Sequence, residues 1–380
     1  MIVKAPGQAL TRSEILRWLL ETDADRLEEL WGAADEVRRA TVGDEVHLRG
    51  LIEISNHCRR RCGYCGLQAG NSRLTRYRMS AEEVLACARL ARNLGYGTVV
   101  LQSGEDPGLT EKWVANLVRH IKEETGLAVT LSLGEREPQE LAAWREAGAD
   151  RYLLKFETSD PELFRHIHPP LPGENSDPFQ KRLGLLGTLR DLGYEVGSGI
   201  MVGIPGQTFL SVARDLELFR ELDLDMIGIG PFIPHPQTEL GANWANPSGT
   251  PAPPASGPRA ANRPLSASDQ VPNDELTTCK VVALARLVCP EANIPSTTAL
   301  ATIDPAGGRA HGLQRGANVV MPDLTPLQYR ALYEIYPGKG LSTASPEAEQ
   351  ARLLALIASM GRRPGLGAGE RIRRVSCAAG

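Results

Sequence analysis

Three cysteines within eight residues are the part of this chain best suited to chemistry. Cys58, Cys62 and Cys65 are spaced C-x3-C-x2-C in the run CRRRCGYC. Three soft thiolates on one short loop can wrap one face of a metal centre. Structural zinc takes four protein ligands, and no second C-x2-C or paired histidine is evident to complete a set. Three protein ligands suit a 4Fe–4S cluster whose fourth iron stays open to another molecule. On the residues alone, a zinc loop or three unrelated thiols remain open as blander readings. Arg59, Arg60 and Arg61 are placed to offset thiolate charge, and Gly63 and Gly66 let the backbone approach closely.

The remaining thiols read differently. The chain has seven cysteines, and the odd number and clustering argue against a secreted disulfide framework. Cys87, Cys279 and Cys289 fall on or at the end of helical stretches and read as small core residues. Cys377 stands alone near the end of the chain.

A ligand loop needs a rigid frame. From residue 50 onward, short apolar runs alternate with helical stretches, the pattern of a parallel sheet made of βα units. The runs are 51–55, 98–102, 128–133, 151–155, 195–201, 226–229, 293–297 and 318–321, with helices predicted at 80–94, 111–124, 137–147, 178–192, 208–222, 274–288, 305–313 and 326–335. Eight such units predict an α/β fold, a (β/α)8 TIM-type barrel with its functional groups at the C-terminal strand ends. A doubly wound open sheet would normally carry G-x-G-x-x-G after its first strand, and none is present.

The predicted organisation is an N-terminal helical lead-in over 1–48, the barrel over 49–340 and a C-terminal tail over 341–380 with one helix at 346–360. Residues 243–273 are rich in Pro, Ala, Ser, Gly and Asn and read as a disordered insert.

Several polar groups fall where strands end. Gln102 and Ser103 close the second run, and Glu135 follows the third. Lys155 and Glu157 are two residues apart, so on a strand both face one side. Arg182 is a further cation, and Met201 lies in a glycine-rich fifth run. Thr297, Thr298, Met321 and Tyr333 would offer hydroxyls and a soft sulfur to the deeper half of a cavity. The competing reading for the charges is a structural ion network, and for Met321 and Tyr333 an ordinary core.

The C-x3-C-x2-C spacing, with the aromatic Tyr64 before the last cysteine, resembles the signature of the radical S-adenosylmethionine superfamily. The stretches EISNHCRRRCGYCGL, RYRMSAEE, VLQSGEDP, GIMVGIPGQT, DMIGIGPFIPHPQT, IPSTTALATI, GANVVMP and YPGK are similar to those of the HydE-type FeFe-hydrogenase maturases. The resemblance spans about residues 45–340 outside the insert. It implies one 4Fe–4S cluster on Cys58, Cys62 and Cys65, with S-adenosylmethionine chelating the open iron. It places Tyr64, Gln102, Ser103, Glu135, Lys155, Glu157, Arg182 and Met201 at the cofactor. It places Arg151, Met226, Thr297, Thr298, Met321 and Tyr333 around a substrate cavity. The implied substrate is an iron–carbonyl–cyanide complex of cysteine, with partner maturases and a ferredoxin or flavodoxin as electron donor.

Two departures stand out. Lys155-Phe156 replaces the family's usual Arg-His, and lysine lacks arginine's two-pronged carboxylate contact. The segment GLSTASPEAEQ has no cysteine, so no second cluster is expected. A methylornithine-synthase-like or biotin-synthase-like enzyme with an organic substrate, and a non-enzymatic iron–sulfur scaffold, are the alternatives.

The composition sets outer bounds. Over 380 residues the net charge is -4, which argues against broad nucleic-acid or membrane-surface binding. The opening MIVKAPGQAL lacks the basic and apolar regions of a signal peptide, and no run of 18 apolar residues exists. A cytoplasmic, reducing setting is expected.

Overall fold

The computed structural model describes residues 10–245, 266–340 and 342–372. Its core is a curled parallel sheet of β1 (Glu45–Ser55), β2 (Thr98–Ser103), β3 (Ala128–Ser132), β4 (Arg151–Leu153), β5 (Glu195–Val202), β6 (Met226–Pro231) and β7 (Val319–Val320). The strand order is β6-β5-β4-β3-β2-β1-β7. All pairings are parallel, with Leu51 opposite Val100, Val100 opposite Thr130 and Met201 opposite Gly230. Strands covered on both faces must be apolar almost throughout, and β1 is buried over nearly its full length.

The expected seventh strand, 293–297, forms no regular strand. It touches its neighbours through single bridges, Met226 to Asn293 and Pro295 to Val319. Pro295 has no N–H to give to a ladder. The ring is still completed by backbone bonds: Asn293 N donates to Asp225 O, Ile227 N to Asn293 O and Ser296 N to Val319 O, each 2.9 Å. The α/β barrel is therefore closed at that position by isolated bonds.

Helices enclose the ring, and their starts are written in the sequence. Ser80 caps Ala81–Asn93 through a capping box with Glu83, and Thr208 caps Phe209–Glu221. Such caps contribute about 1 kcal/mol each. The lead-in helices Arg12–Leu20 and Ala24–Val42 pack on Phe209–Glu221 and Glu275–Val288.

Other departures from the sequence reading are local. Helices at Pro161–Ile167, Glu239–Ala245 and Thr298–Ile303 were not expected, while the one expected at 326–335 shrinks to Leu327–Arg330. The insert read as 243–273 is ordered at its far end. Val271 is buried, its N–H bonds to Gln207 O at 2.9 Å, and the Gln270 amide bonds to Ile204 O at 3.0 Å. The centre of the insert lies outside the described residues, as does Cys377.

The tail read as loose crosses the bottom of the barrel after its helix, Pro346–Ser359. β8 (Arg363–Pro364) pairs with Glu45 and Val46 at the start of β1. Ala368 O accepts from Thr98 at 2.9 Å and from Arg151 at 3.0 Å, and Gly369 O accepts from Arg49 at 2.9 Å. Gly97 allows this approach, since a Cβ there would lie 1.6 Å from Gly367 O. Among the described residues no helix is long and apolar enough to cross a membrane.

Candidate active site

The C-terminal strand ends open onto a cavity of about 340 Å³. Its mouth carries Cys58, Cys62 and Cys65 on the loop that leaves β1. Arg76, from the following segment, clamps that loop by donating to the carbonyls of Asn56 (2.6 Å), Leu67 (2.8 Å) and Gln68 (2.9 Å). Gly63 N donates to Ile167 O at 2.9 Å, and Gly66 N to Ile335 O at 3.0 Å. Gly66 cannot carry a side chain, because a Cβ would lie 2.1 Å from Glu334 O.

The thiols' electrostatics fit a metal centre. Burial raises all three cysteines, and mutual repulsion adds to it for Cys62 and Cys65, with Cys65 pushed up to about 12. Three such thiols lose their protons only to a cationic centre, which binding of iron supplies. Two of the three arginines of the loop are not free to offset them. Arg59 and Arg60 both donate to Glu105, at 2.7 and 2.9 Å. Arg60 also reaches Glu135 at 2.7 Å and Glu174 at 2.8 Å.

Glu135 belongs to this ion network and does not line the cavity. It also accepts from Arg182 at 2.9 Å and pairs with Lys181 at 3.1 Å. Burial opposes its charge, but Arg182, Arg60 and Lys181 together hold it below the usual carboxylate range. Arg182 lines the cavity while also donating to Lys155 O.

Lys155 and Glu157 do face the cavity, 3.8 Å apart. Glu157 has φ +61°, a left-handed conformation rarely held by a residue with a side chain. Its Oε2 is buried and accepts no hydrogen bond. Burial pushes its carboxyl above the usual carboxylate range, with Lys155 and Arg182 only partly opposing. A strained residue aiming an unsatisfied oxygen into a cavity fits a ligand that brings donors. Tyr64, Gln102, Ser103 and Met201 line the same upper chamber.

Deeper in, the wall is Met226, Thr297, Thr298, Met321, Tyr333, Tyr336 and Lys339. Thr297 donates to Ile229 O at 3.0 Å and caps Thr298–Ile303. Lys339 is ion-paired with Glu53, which burial pushes up to about 8 against the pull of Lys339. Both are almost wholly buried.

Arg151, expected in this cavity, is not part of it. It lies at the start of β4 and donates to Glu195, to Thr98 (3.2 Å) and to the tail. It lines a small lower pocket with Arg49, and Met226 forms the partition between the two spaces. Residues 151 and 155 share a face, but at about 3.3 Å per residue they differ in height by about 13 Å.

His168 and the Glu53–Lys339 pair were missed by the sequence reading. Nδ1 of His168 is 3.1 Å from Cys62 Sγ, and its Nε2 is 3.0 Å from the Tyr64 hydroxyl. Burial, reinforced by Arg182 and Arg60, holds this imidazole well below its usual range. Cys87 and Cys279 are buried away from the cavity, as core thiols.

The parallel barrel with a cysteine triad at its mouth defines a radical S-adenosylmethionine enzyme. The Radical SAM superfamily model matches residues 52–219. The chain is 43% identical to the FeFe hydrogenase maturase subunit HydE of Thermotoga maritima, covering 98% of this chain and 97% of that one. It is 29% identical to 3-methylornithine synthase of Methanosarcina acetivorans, over 84% of this chain and 82% of that one. Among solved structures, methylornithine synthase (PylB) superposes with a TM-score of 0.73 at 25% identity, covering 94% and 95% of the two chains. The maturase HydG of Carboxydothermus hydrogenoformans shares the fold, with a TM-score of 0.73 at 18% identity over 95% of this chain and 77% of that one. The chain belongs to the HydE family of hydrogenase maturases. Its cofactors are one 4Fe–4S cluster and S-adenosylmethionine.

Proposed function

We propose that the chain acts in assembly of the hydrogenase H-cluster on an iron–carbonyl–cyanide complex of cysteine. The observation that carries this reading is the composition of the deep cavity. Thioethers of Met226 and Met321 form an unreactive wall suited to carbonyl ligands. The hydroxyls of Thr298, Tyr333 and Tyr336 are donors suited to a cyanide nitrogen.

The bound cofactors supply a one-electron reduction that splits S-adenosylmethionine into methionine and a 5′-deoxyadenosyl radical. The chain's part is binding, orientation and exclusion of water. Cys58, Cys62 and Cys65 hold the cluster. Glu157 would accept from the cofactor's amine or ribose, and Lys155 would pair with its carboxylate. Gln102, Ser103, Tyr64 and Met201 shape the upper chamber, while Arg182 and Glu135 brace Lys155 from behind. Thr297, held by Ile229 O, fixes the boundary between upper and lower chambers.

The electron donor is a ferredoxin or flavodoxin, and the substrate comes from a partner maturase, in a reducing cytoplasm. The test is anaerobic: reconstituted protein, S-adenosylmethionine, reductant and a synthon-producing maturase are combined with an immature hydrogenase. Hydrogen evolution that depends on this chain is expected. Cofactor cleavage without activation would overturn the reading in favour of a small organic substrate. The likeness to 3-methylornithine synthase supports that second reading.

A further inference from the structure

Each cluster-binding sulfur needs something to balance its charge, and the three are served differently. Backbone N–H groups of Arg60 and Glu105 lie against the Cys58 sulfur, and that of Leu67 against Cys65. At Cys62 an imidazole stands 3.1 Å away.

That imidazole is firmly held. His168 ends the helix Pro161–Ile167, and its N–H bonds back to Phe164 O at 2.8 Å. Its ring stacks on Phe164, with centroids 4.9 Å apart and planes at 26°, and meets Tyr64 edge-on at 5.3 Å. The neighbouring Ile167 O takes the N–H of Gly63, so helix and cysteine loop are joined beside the contact.

Each imidazole tautomer carries one N–H, and here both ring nitrogens have partners, Cys62 Sγ at 3.1 Å and the Tyr64 hydroxyl at 3.0 Å. A thiolate bound to iron has no proton to give. Nδ1 must then be the donor, and Nε2 must accept from the Tyr64 hydroxyl. We propose that His168 is a positioning residue for the cluster, donating Nδ1–H to the Cys62 sulfur in a tautomer fixed by Tyr64, and so raising the cluster's reduction potential. A hydrogen bond to a ligating sulfur withdraws electron density and stabilises the reduced, more negative form. The inference rests on the cluster assignment and is independent of which substrate fills the cavity.

The test is an EPR-monitored redox titration of the anaerobically reconstituted full chain, with dithionite as reductant. His168→Phe keeps the stacking and removes the donor. It is expected to retain its iron while the reduced-to-oxidised ratio at a fixed potential falls about tenfold, a shift of about 59 mV for one electron. His168→Asn, with an amide N–H near the Nδ1 position, is expected to restore most of the shift. Tyr64→Phe moves the potential by less, in the same direction. An iron-replete His168→Phe protein with the wild-type potential overturns the proposal. If that variant holds no iron, 15N-histidine-labelled wild-type protein decides: a 15N coupling in the reduced cluster's pulsed EPR spectrum supports the bond, and its absence overturns it. Wild-type protein that bound no iron would instead sink the cluster assignment itself.

Discussion

At the lower end of the barrel Arg49, Arg151 and Arg371 donate to Glu195, Asp225 and the carbonyls of the tail. At the upper end Lys155 and Glu157 stand 3.8 Å apart, and one Glu157 oxygen takes no hydrogen bond. The residue types are alike and the settings differ. Below, guanidinium groups close a floor against carboxylates and tail carbonyls, although Nε of Arg49 and of Arg371 has no hydrogen-bond partner. Above, one oxygen of Glu157 takes no hydrogen bond and its backbone is strained, and it faces a cavity where a ligand can complete it. The difference separates what holds the ring shut from what it is shut around.

The largest break in that contrast is Cys62→Ala at the upper end. Iron content is expected to fall from about four atoms per chain to background, with cofactor cleavage lost. Retention of full iron would contradict the ligand set. The matching break below is truncation before residue 363. It strands donors of Arg49, Arg151, Thr98 and Asn293 that now reach the tail. At 1–3 kcal/mol per unmet buried donor, a loss on the order of 5 kcal/mol is expected in denaturant unfolding. An unchanged midpoint would mean the strap is ornamental.

Glu157→Gly sharpens the contrast, because its two effects should have opposite signs. Relief of the left-handed backbone is expected to stabilise the fold by about 1 kcal/mol. Loss of the carboxylate is expected to weaken S-adenosylmethionine binding about 10- to 100-fold, read by equilibrium dialysis. Weaker binding without greater stability would remove the strain argument.

A smaller effect concerns acid. His47 is lowered to about 4 by burial and by Arg49, and glycines of the tail pack against its ring. The unfolded imidazole, near 6.5, takes up a proton first. The stability contributed by neutral His47 is thus present above pH 6.5 and lost as pH falls toward 4. Unfolding midpoints at pH 7 and 5 should differ more for wild type than for His47→Phe. The smallest change is Lys155→Arg, which restores a two-pronged carboxylate contact. About threefold tighter S-adenosylmethionine binding is expected, with turnover little altered. No change would place the cofactor carboxylate elsewhere.

Much of this was legible in the sequence, and the failures share a cause. The cysteine spacing and the polar strand ends are local patterns, and both point into the cavity. Period-2 reasoning put Lys155 and Glu157 on one face, and the resemblance put Arg151 in the cavity, but neither carries information about height along a strand. The Glu53–Lys339 pair joins positions 286 residues apart, which no local pattern can link. His168 was hidden by a seven-residue helix too short to show periodicity, so a lone histidine had no visible partner. The loose reading of the tail followed its glycines and arginines, yet there glycine permits backbone contact and arginine supplies the bonds.

The strap also orders events in time. Ribosomal synthesis delivers β1 long before residues 363–371, so Arg49 and Arg151 wait for their carbonyl acceptors while all the intervening elements are made. Until release, the nascent barrel is a cup without a base. An internal stop or a late frameshift before residue 363 would therefore leave an intact cysteine loop on a chain that cannot seal, despite carrying every cluster ligand.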